Sequence, residues 1–288
     1  MLLKQEHFAA MVINWSDKAA NLRQIAQQLN IGLDAIVFID DDPMNRDWVG
    51  SSLPEVLTVE MPADPSQYAR TLLGLPDVQT IALTAEDRKR GRMYYQERQR
   101  TQLHEQTQSL DDFLAQLQME VLITDADQMA IPRISQLTQR TNQFNMTTKR
   151  YSESQVADMA AAGDHMVLYL SLKDRLGDSG IVGVAIVRKD PETWEIDTLL
   201  MSCRILGRQA ENALMAELTR RAADGGAKQL VAQFIPTKKN VVARDYYQKM
   251  GLKKVSEEAN GRTIWAYNLS EGPMPWPDGV KRLTGEPA

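Results

Sequence analysis

The 288 residues allow two ordinary domains, and 43% hydrophobic with 25% charged residues is the balance of a globular chain that can bury a core. A net charge of -5 gives no electrostatic reason to expect nucleic acid or an anionic membrane as partner, no apolar run approaches the length of a bilayer crossing, and the start, from Met1 to His7, has no apolar signal-peptide core. The one cysteine, Cys203, excludes an internal disulfide framework and any cysteine-based metal site built by this chain alone, so the cytoplasm is the expected compartment.

In chain order, Leu22, Ile25, Ala26 and Leu29 recur at helical spacing, which predicts an amphipathic helix over 17–29, capped by Ser16 and ended by Asn30 and Gly32. Ala35-Ile36-Val37-Phe38-Ile39 is a short apolar run without alternation, as expected of a strand buried on both faces of a parallel sheet. It ends in Asp40-Asp41-Asp42 and Pro43, with a short helix, a strand near 56–60 and a helix near 66–73 after it. This α-β-α-β-α alternation predicts a parallel layer. Two strands cannot shelter both edges of such a sheet. Residues 1–75 are therefore expected to be the C-terminal half of a larger Rossmann-like domain whose other strands lie upstream of Met1 or in a partner.

Residues 76–118 read as a charged helical connector, with capping-box pairs at Thr84 and Asp87 and at Ser109 and Asp112. The mixed signs between Arg88 and Glu105 favour a solvated helix over a basic binding helix. From 119 the pattern becomes that of a mixed α/β domain to about 270. Strands are predicted at 121–124, 166–172, 181–188, 194–205, 229–235 and 263–269, the second and third joined by a Gly-Asp-Ser-Gly turn at 177–180. Helices are predicted at 131–139, 154–161, 210–223 and 242–250, and the tail 271–288 reads as loose.

Three constellations carry chemistry. Ligands of open α/β sheets bind beyond the carboxyl ends of strands. Asp40 and Asp41 at such an end offer oxygen ligands suited to Mg²⁺ with a substrate phosphate, while Asp42 is better explained as the N-cap before Pro43. Lys18 sits in the first turn of its helix, where the macrodipole disfavours a cation, and either holds a phosphate as a point charge or is a surface lysine balanced by Asp17.

The third constellation is Cys203-Arg204-Ile205-Leu206-Gly207-Arg208-Gln209, where a long strand passes into a helix whose N-terminal N–H groups can hold an anion. Acyltransferases of the GNAT type bind the pyrophosphate of acyl-CoA at such a junction. Arg204 and Gly207 fit their motif, whereas Gln209 stands at a position that takes a small residue and would crowd a pyrophosphate. A phosphopantetheine arm presented by a carrier protein remains compatible. Cys203 is either a thiol activated by Arg204, Arg208 and the helix terminus or a small buried core residue. Strand alternation would place Asp197 on its face, as a general base or binding carboxylate. Asn142 and Asn145 either line a polar substrate pocket or cap a loop. His7, His104 and His165 are scattered, and no Walker A loop, dinucleotide fingerprint, HExxH or GxSxG occurs.

The chain resembles the FkbH-like family from Met1 to about Leu269. The resemblance rests on Asn14-Trp15-Ser16-Asp17-Lys18-Ala19-Ala20-Asn21, Val37-Phe38-Ile39-Asp40-Asp41-Asp42-Pro43, Leu137-Thr138-Gln139-Arg140-Thr141-Asn142-Gln143-Phe144-Asn145 and Met201-Ser202-Cys203-Arg204-Ile205-Leu206-Gly207-Arg208. It implies a haloacid-dehalogenase-type (HAD) domain joined to a GNAT-like domain. The implied role is transfer of a glyceryl unit from bisphosphoglycerate to an acyl carrier protein in polyketide-type biosynthesis. Lys18 matches the lysine that steadies the phosphoryl intermediate, and Asp40 with Asp41 matches the acidic Mg²⁺ motif. The family's aspartate nucleophile would lie upstream of Met1, so independent phosphatase activity is not expected. Two alternatives stay open: an acyl-CoA-dependent N-acyltransferase, and a non-catalytic remnant that docks a carrier protein.

Overall fold

The computed structural model describes residues 4–29, 31–78 and 85–283. Asn30 and Thr84, invoked above in a helix end and a cap, and the last five tail residues lie outside these. The chain divides into two compact units, Met1–Gln102 and Leu103–Ala288. No helix among the described residues is long and apolar enough to cross a membrane.

In the first unit, α1 (Lys18–Leu29), β1 (Val37–Phe38), α2 (Pro43–Ser52), β2 (Leu57–Thr58) and α3 (Tyr68–Leu73) follow the expected alternation. β1 and β2 pair in parallel, Val37 opposite Leu57 and Phe38 opposite Thr58. Ala19, Phe38, Val49, Leu53 and Val56 close a small core. The N-cap of α1 differs from the expected Ser16: Asp17 Oδ2 accepts from Ala20 N at 2.8 Å. Asp42 caps α2 as expected, accepting from Met44 N at 2.9 Å.

The helix α4 (Ala85–Gln106) forms as expected, but it is not solvated along its length: residues 93–99 are half-buried and Arg100 is 3% exposed. α5 (Leu110–Leu117) is amphipathic, capped by Ser109 as expected, and buries Phe113, Leu114 and Leu117 in the core of the second unit. The rest of that unit comprises β3 (Met119–Asp125), α6 (Ile131–Arg140), β4 (Phe144–Asn145), α7 (Glu153–Ala161), β5 (His165–Asp174), β6 (Gly177–Lys189), β7 (Thr193–Met201), α8 (Ala210–Asp224), β8 (Gln229–Phe234), α9 (Tyr246–Lys249), β9 (Lys253–Glu257), β10 (Thr263–Asn268) and β11 (Val280–Arg282). The strands form one mixed sheet in the order β11-β3-β5-β6-β7-β8-β10-β9, with β4 added to β7. Two pairs on this path, β11 with β3 and β7 with β8, run parallel.

Strand alternation supplies both faces. In β5, Met166, Leu168 and Leu170 face the core shared with α5 and α8, while Val167 and Tyr169 face α6 and α7. Burial of so many aliphatic side chains on both faces is the main stabilising term.

Four further expectations need correcting. Asp174, not the glycines at 177–180, makes the β5–β6 turn, since Asp174 Oδ1 accepts from Leu176 N and Gly177 N while 177–180 already belongs to β6. β7 stops at Met201, and Cys203–Ile205 is a 3-10 turn. The helix placed at 242–250 is a 3-10 turn, Val241–Ala243, followed by the short α9. The tail is not loose from 271, because Met274 and Val280 are buried and β11 pairs with β3.

Candidate functional site at the carboxyl ends of β7 and β8

β7 and β8 pair from Thr193 opposite Gln229 to Ile196 opposite Ala232, and no further. On its other side β7 carries a bulge: Ile186 opposes Thr198 and Val187 opposes Ile196, which leaves Asp197 as the extra residue. A bulge bends the strand and re-aims a side chain. Past this point the two parallel strands part, and the gap is filled by the chain itself. Phe144 pairs with Met201 and Asn145 with Leu200, Met146 N donates to Leu199 O at 3.0 Å, and Ile235 N donates to Met146 O at 2.8 Å. The segment 144–146 thus bridges β7 to the end of β8 and is buried.

The bulge and the strand end together overturn the alternation that put Asp197 and Cys203 on one face. The Asp197 carboxylate instead faces the 147–151 loop. It pairs with Lys149 Nζ, accepts from Tyr151 Oη at 2.6 Å and from Thr198 Oγ1 at 3.0 Å, and its main-chain oxygen accepts from Thr147 Oγ1 at 2.9 Å. Burial, and next the bond to Asp197, hold the Tyr151 phenol above its ordinary range, so Tyr151 stays a donor. Lys149 and Tyr151 were not singled out from sequence, because their partner lies more than forty positions away.

Asn145 is fully buried, and its side chain braces the loop: Nδ2 donates to Thr141 O at 3.2 Å and Oδ1 accepts from Thr148 N at 2.8 Å. Asn142 Oδ1 accepts from Arg150, which also reaches Thr141 O at 3.0 Å. The loop-capping reading of both asparagines matches these contacts.

Cys203 is exposed in the turn after β7, which removes the buried-core reading. Arg204 is half-buried and Arg208 is 6% exposed. Gly207 has φ +76°, a left-handed conformation in which glycine avoids strain, and Gln209 follows at φ +67° as the N-cap of α8. The anion position at this helix start is taken: Glu211 Oε1 accepts from Gly207 N at 3.2 Å. Burial pushes the Glu211 carboxyl up, against the pull of its own N–H, that of Gly207 and the charge of Arg208, and Oε2 is buried without a partner.

In the first unit, Lys18 Nζ lies 3.8 Å from Asp40 Oδ2. Asp40 Oδ1 accepts from Asp42 N at 2.9 Å and Asn45 Nδ2 at 3.3 Å. Arg46, 7% exposed, donates to the main-chain oxygens of Asp40 and Asp41 at 3.0 Å each, which fixes the acidic turn. Lys18 and Asp40 are brought together, and Asp41, the next residue in the chain, is exposed. Among the described residues no group of three or more His, Cys, Asp or Glu side chains could hold a metal. Asp40 and Asp41 match the one or two carboxylates that Mg²⁺ takes alongside phosphate oxygens.

No family model and no curated protein matches the chain. Similar solved structures include acetyltransferases. The ribosomal-protein-S18-alanine N-acetyltransferase of Escherichia coli is 15% identical over 58% of this chain and 97% of its own, at a TM-score of 0.40. An acetyltransferase of the GNAT family from Desulfovibrio desulfuricans is 13% identical over 52% of this chain and 99% of its own, at 0.42. The N-terminal part of a Bacteroides fragilis protein containing a phosphatase domain, complexed with Mg, is 41% identical over 29% of this chain and 22% of its own length, at 0.28.

Proposed function

We propose that the chain is an acyltransferase of the FkbH-like type, which receives a glyceryl or related acyl unit from a thioester and passes it to the phosphopantetheine thiol of an acyl carrier protein. The observation that carries this reading is the exposed Cys203 at the carboxyl end of β7, set between the bulge at Asp197 and the glycine turn before α8. In thioester exchange the Cys203 thiolate attacks the acyl carbonyl, a new C–S bond forms, and the donor thiol leaves with the proton that Cys203 gave up. A second exchange, onto the pantetheine thiol, regenerates Cys203. Arg204, next to Cys203 in the chain, is the cation that would attend the sulfur. Asp197 acts as a positioning carboxylate that holds Lys149 and Tyr151, and Asn142 and Asn145 fix the loop that carries them.

In the first unit, Asp40 and Asp41 are the residues that would hold Mg²⁺, and Lys18 the one that would meet a phosphoryl oxygen. The metal would supply charge neutralisation at a phosphate.

A second reading, an acyl-CoA-dependent N-acyltransferase, draws on the parting of β7 and β8 ahead of the α8 terminus. One contact argues against it: Glu211 occupies the anion position that a pyrophosphate would need. The test is intact-mass spectrometry of the chain mixed with a phosphopantetheinylated carrier protein and, as thioester donor, either an acylated carrier protein or acyl-CoA. A glyceryl or acyl adduct on carrier or chain supports transfer. A folded protein that gives none under either condition contradicts it, and an adduct that forms from acyl-CoA without a carrier favours the second reading.

A further inference from the structure

The stretch after β8 carries Lys238, Lys239, Arg244 and Lys249, all exposed, with Asp245 the one carboxylate among them. Neighbouring cations of the same unit are paired: Lys228 with Glu192, Lys253 with Glu271, Lys254 with Glu257 and Arg262 with Glu258. Among the described residues no carboxylate lies within ion-pairing distance of Lys238, Lys239, Arg244 or Lys249. Amid them Val241 and Val242 stand 55% and 64% exposed on a single 3-10 turn. In a chain of net charge -5, this cluster of unpaired cations around an aliphatic turn is a local exception.

The stretch is tied to the site at two points. Asn240, fully buried, donates to Asn145 O at 2.9 Å, on the segment that fills the gap beside β7. Tyr246 packs edge-on to Phe144 at 4.9 Å between ring centroids, and its hydroxyl donates to Glu211 O at 2.7 Å in the first turn of α8. β7 and β8 are parallel, so this surface and Cys203 lie at the same end of the sheet.

We infer that residues 238–249 are the docking surface for an acidic carrier protein, whose carboxylates meet Lys238, Lys239, Arg244 and Lys249 and whose aliphatic side chain covers Val241 and Val242. This rests on the thioester-transfer reading, which requires a partner that brings an arm to Cys203. Charge complementarity selects the partner and sets the encounter rate, while the desolvated valines add affinity. Nothing here needs the arm for recognition, so docking and transfer are separable.

The test is surface binding of the full chain to a strongly acidic acyl carrier protein, in its phosphopantetheinylated form and in an armless Ser→Ala form. The variants are Lys238→Glu with Lys239→Glu, Arg244→Glu, and Val241→Ala with Val242→Ala, each checked by circular dichroism. Lys281→Glu, which breaks a paired cation on β11 at the other end of the strand order, is the control. The expected result is a loss of about tenfold or more for each charge-reversal variant, a smaller loss for the valine pair, no change for the control, and binding by both carrier forms that weakens with salt. Equal affinity for wild type and the reversal variants overturns the inference. So does binding of duplex DNA, with the same dependence on these residues, in place of the carrier. Cys203→Ala retaining full affinity while losing transfer would separate docking from chemistry, and docking that persists without any transfer in wild type would count against the transfer reading alone.

Discussion

Asn240 and Asn145 are joined by a 2.9 Å hydrogen bond, from Asn240 Nδ2 to the main-chain oxygen of Asn145, that fastens the end of β8 to the two-residue strand lying beside β7. Asn240 Nδ2 also reaches Ile235 O at 2.9 Å, and Oδ1 accepts from Thr237 N at 2.7 Å. Asn240→Ala leaves these buried groups unpaired and is expected to cost about 3 kcal/mol, read from urea unfolding. A loss within experimental error would mean that the 144–146 segment holds its place without this tie.

Glu211 is expected to exclude free coenzyme A. Glu211→Ala frees Gly207 N and removes the carboxyl group from the α8 start. Isothermal titration with coenzyme A should show no binding to wild type and binding to the variant. Binding of equal strength to both would show that the carboxylate does not guard the position.

Glu217 is 2% exposed and meets Arg220, Arg221 and Arg282. Burial alone would raise its pKa, but the hydrogen bonds from Arg220 and Arg221 and the charge of Arg282 outweigh it and hold the group below the ordinary carboxylate range. A depressed carboxyl contributes stability that is present above its unfolded pKa and is lost as pH falls through the folded one. Glu217→Gln should therefore cost about 3 kcal/mol near neutral pH and should flatten the acid limb of the stability curve. Denaturant unfolding across that pH range measures both.

Much of this was legible beforehand, for physical reasons. Helix α8 and strands β5 and β8 carry long apolar patterns, and Asp42-Pro43 spells a helix start. β9, Lys-Lys-Val-Ser-Glu, is exposed along its whole length and has no buried face to write an alternation. β4 and β11 are two and three residues long and exist only through pairing with strands far away in sequence. At the site, Asp40, Lys18 and Cys203 drew notice by their place at element ends. The bulge at Asp197 was hidden, since one extra residue shifts every later side chain to the other face and leaves no local mark.

In the first unit, the Asp40 carboxylate should govern any Mg²⁺ affinity. Titration calorimetry with Mg²⁺ and a bisphosphoglycerate should show weaker binding for Asp40→Asn than for wild type, by about tenfold. An unchanged isotherm would assign Asp40 to the fixed turn with Asn45 and Lys18 alone.

The most direct measurement is peptide mapping of the acyl adduct after the chain has been incubated with an acylated carrier protein and quenched at low pH. An acyl mass on the peptide containing Cys203, removed by neutral hydroxylamine and absent from a folded Cys203→Ala variant that has also lost transfer, is the result expected. Transfer by Cys203→Ala at the wild-type rate, with no modified Cys203 in the wild type, would contradict the account and leave this cysteine a surface residue of the turn after β7.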